Sequence, residues 1–405
     1  MTLAGSNINQ LWINYSADES VHLNLHSVFD GDLCSALLPQ KSEQAAYIYC
    51  HSDHRNGYRQ LAAFSLQSPM LLDTIISIAT TYMHRRHMAP RSVALTTQSR
   101  ALASLRRSVD WLASPNDSTP SPAETACLKR EVLATILLQI TVEICNGSSV
   151  VKSHIAYAAS LFRELGYEDH VPATPIGLIL THRMAFVDVL SSVFWRRRPL
   201  LSPGFWFLER DDEYRMADLT PRFQDTTGCP FWVVRVLARI SHLVADVDDG
   251  LSSGDKATRA LALESDLAAA AREHNMGSPT PSSHVEIVGR CYYWSAVILL
   301  QRRIFLDARE SPRVQMSLLA LLNLLATLPI GCGPDSALSL PLYMAALAAV
   351  GEDHRALIRD KSQSLDAYYP SQTRTVLTEA FGYMWAAADA ELDSDLMRQR
   401  SLFIC

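Results

Sequence analysis

Apolar residues recur along most of this chain at the spacing of an α-helix. After Ser68-Pro69, one wide apolar face is formed by Leu71, Leu72, Ile75, Ile76, Ile78 and Ala79. Ser68 followed by Pro69 is typical of an N-cap and a proline at the first helical position. Because strand signals are scarce in the rest of the chain, the pattern predicts an all-α fold.

A central helix is predicted over residues 131–144, whose sequence EVLATILLQITVEI is apolar nearly all round and therefore suited to full burial. Asn146-Gly147 ends this helix. A second helix is predicted over 153–165 and stops at Gly166. Since the connection between them is short, the two helices are expected to pair as an antiparallel hairpin.

The same helix-loop-helix order continues to the end of the chain. Further helices are predicted over 91–113, 231–247, 256–274, 284–306, 313–328, 340–349 and 373–390. Loops are predicted over 114–122, 199–203, 225–230, 249–255, 277–283 and 331–334. No long polar linker divides residues 41–405, which are predicted to form a single large multi-helix domain of antiparallel helix hairpins. Residues 1–40 are predicted to form an N-terminal cap or a partly mobile arm.

The composition places the chain among globular proteins, because 48% of its 405 residues are hydrophobic and 19% are charged. Its uninterrupted apolar runs are far shorter than the roughly 18 residues that indicate a membrane span. The first residues, MTLAGSNINQLWIN, lack the basic and apolar regions of a secretory signal. These features predict no membrane association and a location in the nucleus or cytoplasm.

The eight cysteines are scattered and form no CxxC pair. A zinc cluster holds its metal through closely spaced thiolates, so structural zinc is not expected. His51 and His54 have a His-x-x-His spacing, as do His84 and His87, but convergent further ligands are lacking and a polar helix start is the favoured interpretation. The sequence therefore predicts no metal and no cofactor.

The formal net charge of −6 disfavours direct nucleic-acid binding, which needs a basic face to neutralise phosphates. The basic clusters are short, at residues 84–87, 106–107, 196–198 and 302–303. Solvated helix ends or partners of carboxylates are the favoured interpretation of these clusters.

An ordered set of residues near the N-terminus carries a family resemblance. Tyr47, Tyr49, Cys50 and His51 are followed by Asn56, Tyr58, Arg59, Gln60 and Ser68-Pro69. Further matching segments are 188–195, 228–230, 292–293, 299–303, 328–329, 340–342, 353–355 and Trp385.

In this order the chain resembles the fungal-specific transcription factor domain, a large helical region that usually follows a zinc-cluster DNA-binding module. The resemblance implies an all-helical regulatory fold and a transcription-regulator-like role. Within the segment 353–355, Asp353 and Arg355 are expected to form ion pairs between helices. Because the sequence contains no zinc cluster, the chain is expected to bind a ligand or partner instead of reading DNA.

Aromatic clusters with nearby arginines supply the candidate binding residues. Such a combination could line an apolar cavity with a few polar groups, which is typical of a small-molecule site. The candidates are Trp195, Arg196, Trp206, Tyr293, Trp294 and Arg302. Core packing is the other interpretation of the same clusters, and it is the favoured one.

Three functions stay open from the sequence. The first is a regulator of secondary metabolism that binds a small-molecule metabolite or a partner regulator. The second is a cofactor-independent enzyme of fungal secondary metabolism, a cyclase or pericyclic-reaction catalyst such as a Diels-Alderase, in which tryptophans orient the substrate and Arg196 or Tyr293 stabilises charge. No GxSxG, HExxH or Gly-rich phosphate loop identifies a catalytic residue. The third is a homodimerisation module.

Overall fold

Helices account for all regular secondary structure in the described part of the chain. The computed structural model describes residues 57–113, 121–146, 150–207, 222–276, 281 and 283–389. The predicted cap or arm at 1–40, the His51 and His54 pair, and most of the predicted loop 114–122 lie outside these ranges. Within them the fold is all-α, as predicted from the sequence.

Fourteen α-helices follow one another in these ranges. They are α1 (Gly57–Ser65), α2 (Pro69–Arg85), α3 (Arg91–Ala113), α4 (Pro122–Asn146), α5 (Val151–Glu164), α6 (Pro175–Trp195), α7 (Phe223–Thr227), α8 (Phe231–Asp248), α9 (Ser253–Glu273), α10 (His284–Leu300), α11 (Pro312–Thr327), α12 (Ser339–Ala348), α13 (Glu352–Tyr368) and α14 (Gln372–Asp389). Two 3₁₀ turns, Pro203–Phe207 and Pro334–Ala337, and one π-helical turn, Gln301–Phe305, lie between them.

Serine side chains begin several of these helices by accepting a hydrogen bond from a backbone N–H in the first turn. Ser68 accepts from the N–H of Leu71 at 3.4 Å, which confirms the predicted cap of α2. Ser311 caps α11 in the same way and is also followed by proline. The helix starts are therefore determined locally, because each cap satisfies a donor that the helix itself leaves unpaired.

Helix α4 lies at the centre of the first half of the fold. It packs against α2, α3, α5, α6 and α14, and residues 132–140 are buried on every side. The prediction of a central buried helix is confirmed, although α4 begins earlier than residue 131. Helix α5 packs against α4 after a short connection and ends before Gly166, whose φ is +71°, so the predicted hairpin is present.

Helix α10 has the corresponding position in the second half. It packs against α8, α11 and α12, while α14 contacts α12, α13 and α4. The apolar side chains of both halves form one continuous core cluster. Burial of this shared core, more than the propensity of any single helix, holds the hairpins together.

Two long helices were missed by the sequence prediction. Helix α6 was not predicted, and residues 188–195 were noted only as a segment that matches the family; the helix is buried from Gly177 to Phe194 and so lacks an amphipathic period. Helix α13 has the opposite character, since its buried residues are only Ile358, Ser362 and Leu365 on an otherwise polar surface. The predicted loop 225–230 is also partly wrong, because its first residues belong to the short helix α7.

Helix α6 is long and apolar enough to cross a membrane when judged by length and composition alone. Its residues are 94% buried inside the protein over the most apolar window. A core helix of a water-soluble fold has the same properties, so the length and composition of α6 have an explanation within the packing.

The loop after α6 is anchored by a buried carboxylate. Asp188 is fully buried and accepts hydrogen bonds from Arg197 Nη2 at 3.1 Å and from the N–H groups of Leu200 and Leu201, both at 2.9 Å. Burial raises the pKa of Asp188, while Arg197 and the two N–H groups act in the opposite direction. The three bonds hold residues 197–201 against α6 and direct the following 3₁₀ turn into the core.

An ion pair joins the last two helices. Arg355 on α13 donates to both carboxylate oxygens of Asp389 at the end of α14, at 2.7 and 2.6 Å. The guanidinium of Arg355 also lies over the ring of Trp385, 5.6 Å from its centroid. The expectation of ion pairs between helices is thus confirmed for Arg355, with Asp389 as its partner, whereas the exposed Asp353 forms no ion pair with another described residue.

Candidate functional site

An open groove of about 440 Å³ lies where α2 begins, between the second half of α3 and the first half of α4. Its volume is within the range of small-molecule sites in proteins. The apolar part of its lining is formed by Pro69, Met70, Trp111 and Leu128. Trp111 and Leu128 are half-buried, so one face of each side chain is available inside the groove.

The polar part of the lining is formed by Ser68, Ser104, Arg107, Ser108 and Glu131. Of these, Arg107 and Glu131 carry opposite formal charges on different helices. Arg107 Nη2 donates to Ser104 Oγ at 3.0 Å, and Glu131 Oε1 accepts from the Cys127 thiol at 3.7 Å. The groove therefore combines an aromatic and aliphatic wall with one cationic and one anionic group.

The carboxylate of Asp73 on α2, which bonds to the groove residue Ser104, also has an arginine partner. It accepts from Ser104 Oγ at 3.0 Å and pairs with Arg100 Nε at 2.8 Å. The N-terminus of helix α2, which carries a partial positive charge, borders the groove at Ser68-Pro69. The side formed by α2 and α3 is consequently favourable for an anion, and Glu131 on α4 offers an acceptor on the other side.

Two of the residues predicted from sequence, Tyr293 and Trp294, lie together on α10. Their ring centroids are 5.0 Å apart, and Tyr293 also approaches Trp232 on α8 at 6.0 Å. Trp232 in turn stacks on His274 at 5.1 Å with an interplanar angle of 6°. Both Tyr293 and Trp294 are half-buried, and burial raises the pKa of Tyr293.

Trp195 and Arg196 lie at the end of α6. Lys152 Nζ and the Arg197 guanidinium lie over the Trp195 ring, at 5.1 and 5.5 Å from its centroid. Arg196 ends the helix in the left-handed conformation with φ of 50°, and its guanidinium is 3.8 Å from Asp248. The indole of Trp195 is therefore covered by cations that belong to the protein itself.

Trp206 lies in the core and Arg302 in the π-helical turn. Trp206 is 1% exposed and contacts Phe205 edge-on at 4.8 Å and Phe231 at 6.5 Å. Arg302 donates to the carbonyl oxygen of Asp307, and burial lowers its pKa. The tight ring packing around Trp206 agrees with the core-packing alternative that the sequence left open.

The six predicted residues thus occupy four places in the fold: the end of α6, the aromatic core, the middle of α10 and the π-helical turn. None of the six lines the groove described above. Sequence reasoning noted Ser68-Pro69 as a cap and Arg106-Arg107 as a basic cluster, but it did not connect them. Residues so far apart along the chain share no local pattern, and only helix packing brings them to one groove.

Comparison with known protein families identifies the family of this chain. The profile of a family described as the fungal specific transcription factor domain matches residues 42–399, which is most of the chain. The chain belongs to this family. No curated protein and no solved structure matches the chain at a significant level.

This member of the fungal specific transcription factor domain family shows no metal cluster in its described residues, since no three His, Cys, Asp or Glu side chains converge there. His84, one of the predicted spaced histidines, has its Nδ1 3.3 Å from the carbonyl oxygen of Ala89. Burial raises the pKa of Cys291 and raises that of Cys332 to about 12, so neither thiol is a ready thiolate ligand at neutral pH.

The protein also contains a very small cavity of about 10 Å³, lined by residues that include Thr181, His182 and Phe223. This volume is the size of a single water molecule. His182 Nδ1 lies 3.5 Å from Thr226 Oγ1 beside it. The space is too small for a metabolite, so the groove at α2, α3 and α4 is the better candidate of the two.

Proposed function

We propose that the chain is the helical regulatory part of a transcription regulator and that it responds to a small-molecule metabolite or a partner regulator. The observation that carries this proposal is the family match over residues 42–399. Membership in this family supports a role in transcription regulation and a nuclear location. Control of secondary metabolism is the biological process that we propose for it.

We also propose that these 405 residues do not bind DNA sequence-selectively by themselves. Their net charge of −6 opposes the phosphate backbone, and the sequence has no CxxC pair to support a zinc cluster. The short basic segment at Arg197 and Arg198 is engaged with acids, because Arg197 pairs with Asp188 while Arg198 pairs with Asp246 at 2.7 Å. Sequence-selective binding of the purified chain to promoter DNA at physiological salt would contradict this part.

A reporter experiment tests the proposal. The chain is fused to a heterologous DNA-binding module in a fungal host, and transcription from the matching promoter is measured with and without extracts of fungal cultures that contain secondary metabolites. We expect the fusion to change reporter expression and the extract to shift that change, whereas the DNA-binding module alone stays at baseline. Baseline expression of the fusion under all conditions would refute the regulatory role.

An enzyme of secondary metabolism is the second candidate, and one observation favours it. Tyr293 and Trp294 present adjacent half-buried rings on α10, which suits the orientation of an apolar substrate without a cofactor. Tyr293→Ala and Trp294→Ala introduced together at the native gene would then cause a substrate to accumulate in the cells while transcript levels stay normal. Altered transcripts with the same double variant would instead support the regulator.

A further inference from the structure

The groove at α2, α3 and α4 combines features that specify a class of ligand. Its apolar wall of Met70, Trp111 and Leu128 suits a flat, largely apolar body, because an indole offers a face for stacking. Two charged groups, Arg107 and Glu131, line the same space. A ligand that fills the groove must therefore match an aromatic surface, a cation and an anion together.

Arg107 supplies the stronger requirement. Its guanidinium has five N–H donors, and within the described residues one of them goes to Ser104 Oγ. The side chain is exposed, so its remaining donors are open to the groove and to solvent. Since the only nearby carboxylate on α2, Asp73, already binds Arg100 and Ser104 among the described residues, an incoming carboxylate would not displace an existing partner of Arg107.

Glu131 supplies the second requirement. A carboxylate accepts hydrogen bonds and donates none when it is ionised, so the ligand must present an N–H or O–H group toward α4. The thiol of Cys127 at 3.7 Å is a weak donor to one of its oxygens. An aromatic acid without any donor would leave the remaining acceptor sites of Glu131 facing an apolar ring, which is unfavourable.

From this arrangement we propose that the groove binds a small aromatic carboxylic acid that also carries an N–H or O–H donor. The carboxylate is held by Arg107 and the hydroxyl of Ser108, the ring lies against Trp111 and Leu128, and the donor faces Glu131. This inference rests on the proposed function. It adds to that function the place where the ligand binds and the chemical class of the ligand.

A pair of probes tests this inference directly. Indole-3-carboxylate has the aromatic ring, the N–H donor and the carboxylate, whereas indole-3-carboxamide keeps the ring and the indole N–H but replaces the carboxylate by an uncharged amide of nearly the same shape. Binding of both to the full chain is measured by isothermal titration calorimetry. We expect the acid to bind about 10-fold more tightly than the amide, because a hydrogen bond between charged groups is stronger than a neutral one.

Three variants locate the site. Arg107→Ala is expected to abolish the preference for the acid. The matched control is Arg106→Ala, since Arg106 is the neighbouring residue, is 85% exposed, pairs with Asp110 and does not line the groove. Leu128→Gln is expected to weaken both probes about equally, because it removes apolar wall without changing charge. Circular dichroism spectra equal to wild type show that each variant is folded.

The outcomes separate this inference from the proposed function. Absence of binding by the wild-type chain, an acid preference that survives Arg107→Ala, or unchanged binding by Leu128→Gln would each overturn the inference about the groove. These calorimetric results leave the reporter experiment untouched. Conversely, a silent reporter fusion would refute the regulatory role even if both probes bind the groove as expected.

Discussion

Replacement of Asp188 by alanine should be among the most destabilising single substitutions in this protein. Asp188 is completely buried within α6 and accepts three hydrogen bonds from the loop that follows the helix. Alanine leaves the N–H groups of Leu200 and Leu201 and one side of the Arg197 guanidinium without their acceptor. The loop would then lose the three hydrogen bonds that hold it to this carboxylate.

The magnitude follows from the number and environment of these groups. Removal of one partner from a buried ion pair costs about 3–5 kcal/mol, and each stranded N–H donor adds about 1–3 kcal/mol when water cannot reach it. The Arg197 side chain is 25% exposed, so water can solvate its guanidinium in the variant. We therefore expect the free energy of unfolding to fall by about 5 kcal/mol, which takes the low end of each cost, about 3 kcal/mol for the ion pair and about 1 kcal/mol for each of the two N–H groups.

Urea unfolding followed by far-UV circular dichroism measures this loss. Asp246→Ala is the matched control, because Asp246 is also an aspartate paired with arginines, Arg198 and Arg259, but its side chain is 26% exposed. An exposed pair contributes at most about 1 kcal/mol. Equal losses for Asp188→Ala and Asp246→Ala would refute the reasoning that burial makes the Asp188 contacts important.

Two further predictions concern pH and backbone conformation. Burial and the nearby Arg198 lower the pKa of His242, so the unfolded chain takes up a proton below about pH 6.5 that the folded protein resists. The free energy of unfolding should therefore fall as the pH drops through this value. The fall should be less steep in His242→Gln when thermal unfolding is followed from about pH 7.5 to about 5.5. Gly331→Ala should lower the free energy of unfolding in urea by more than about 1 kcal/mol, because φ is +82° and a Cβ would lie 2.5 Å from the Tyr368 ring. Gly250 also has a positive φ, +99°, but no atom lies within 4 Å of the position that a Cβ would take, so Gly250→Ala should cost clearly less. A pH profile unchanged by His242→Gln, or equal losses at the two glycines, would contradict these explanations.

Local sequence signals determined where helices begin and end. Ser68-Pro69 predicts the start of α2 because a serine hydroxyl can satisfy a first-turn N–H and proline needs no donor there. Gly166 and Gly228 adopt positive φ values of 71° and 77° after α5 and α7, which glycine allows without steric cost. Such signals act within a few residues, so they can be recognised without knowledge of the fold.

Helices without a clear two-sided pattern were not predictable in the same way. Helix α6 is surrounded by the core, and its one buried acid, Asp188, has partners that come from the following loop. Nothing in the sequence distinguishes this aspartate from an exposed one, because its burial depends on how α6 packs against the other helices. The role of Asp188 was therefore decided by tertiary structure.

The sequence by itself determined the all-α class, most helix boundaries and the family, since each depends on local periodicity, caps or an ordered set of residues. Only the tertiary structure decided which side chains meet. It separated the six predicted binding residues into four places and brought Met70, Arg107 and Glu131 from three helices to one groove. The physical reason is that a binding site depends on distances across helix packing, and those distances are not encoded in spacing along the chain.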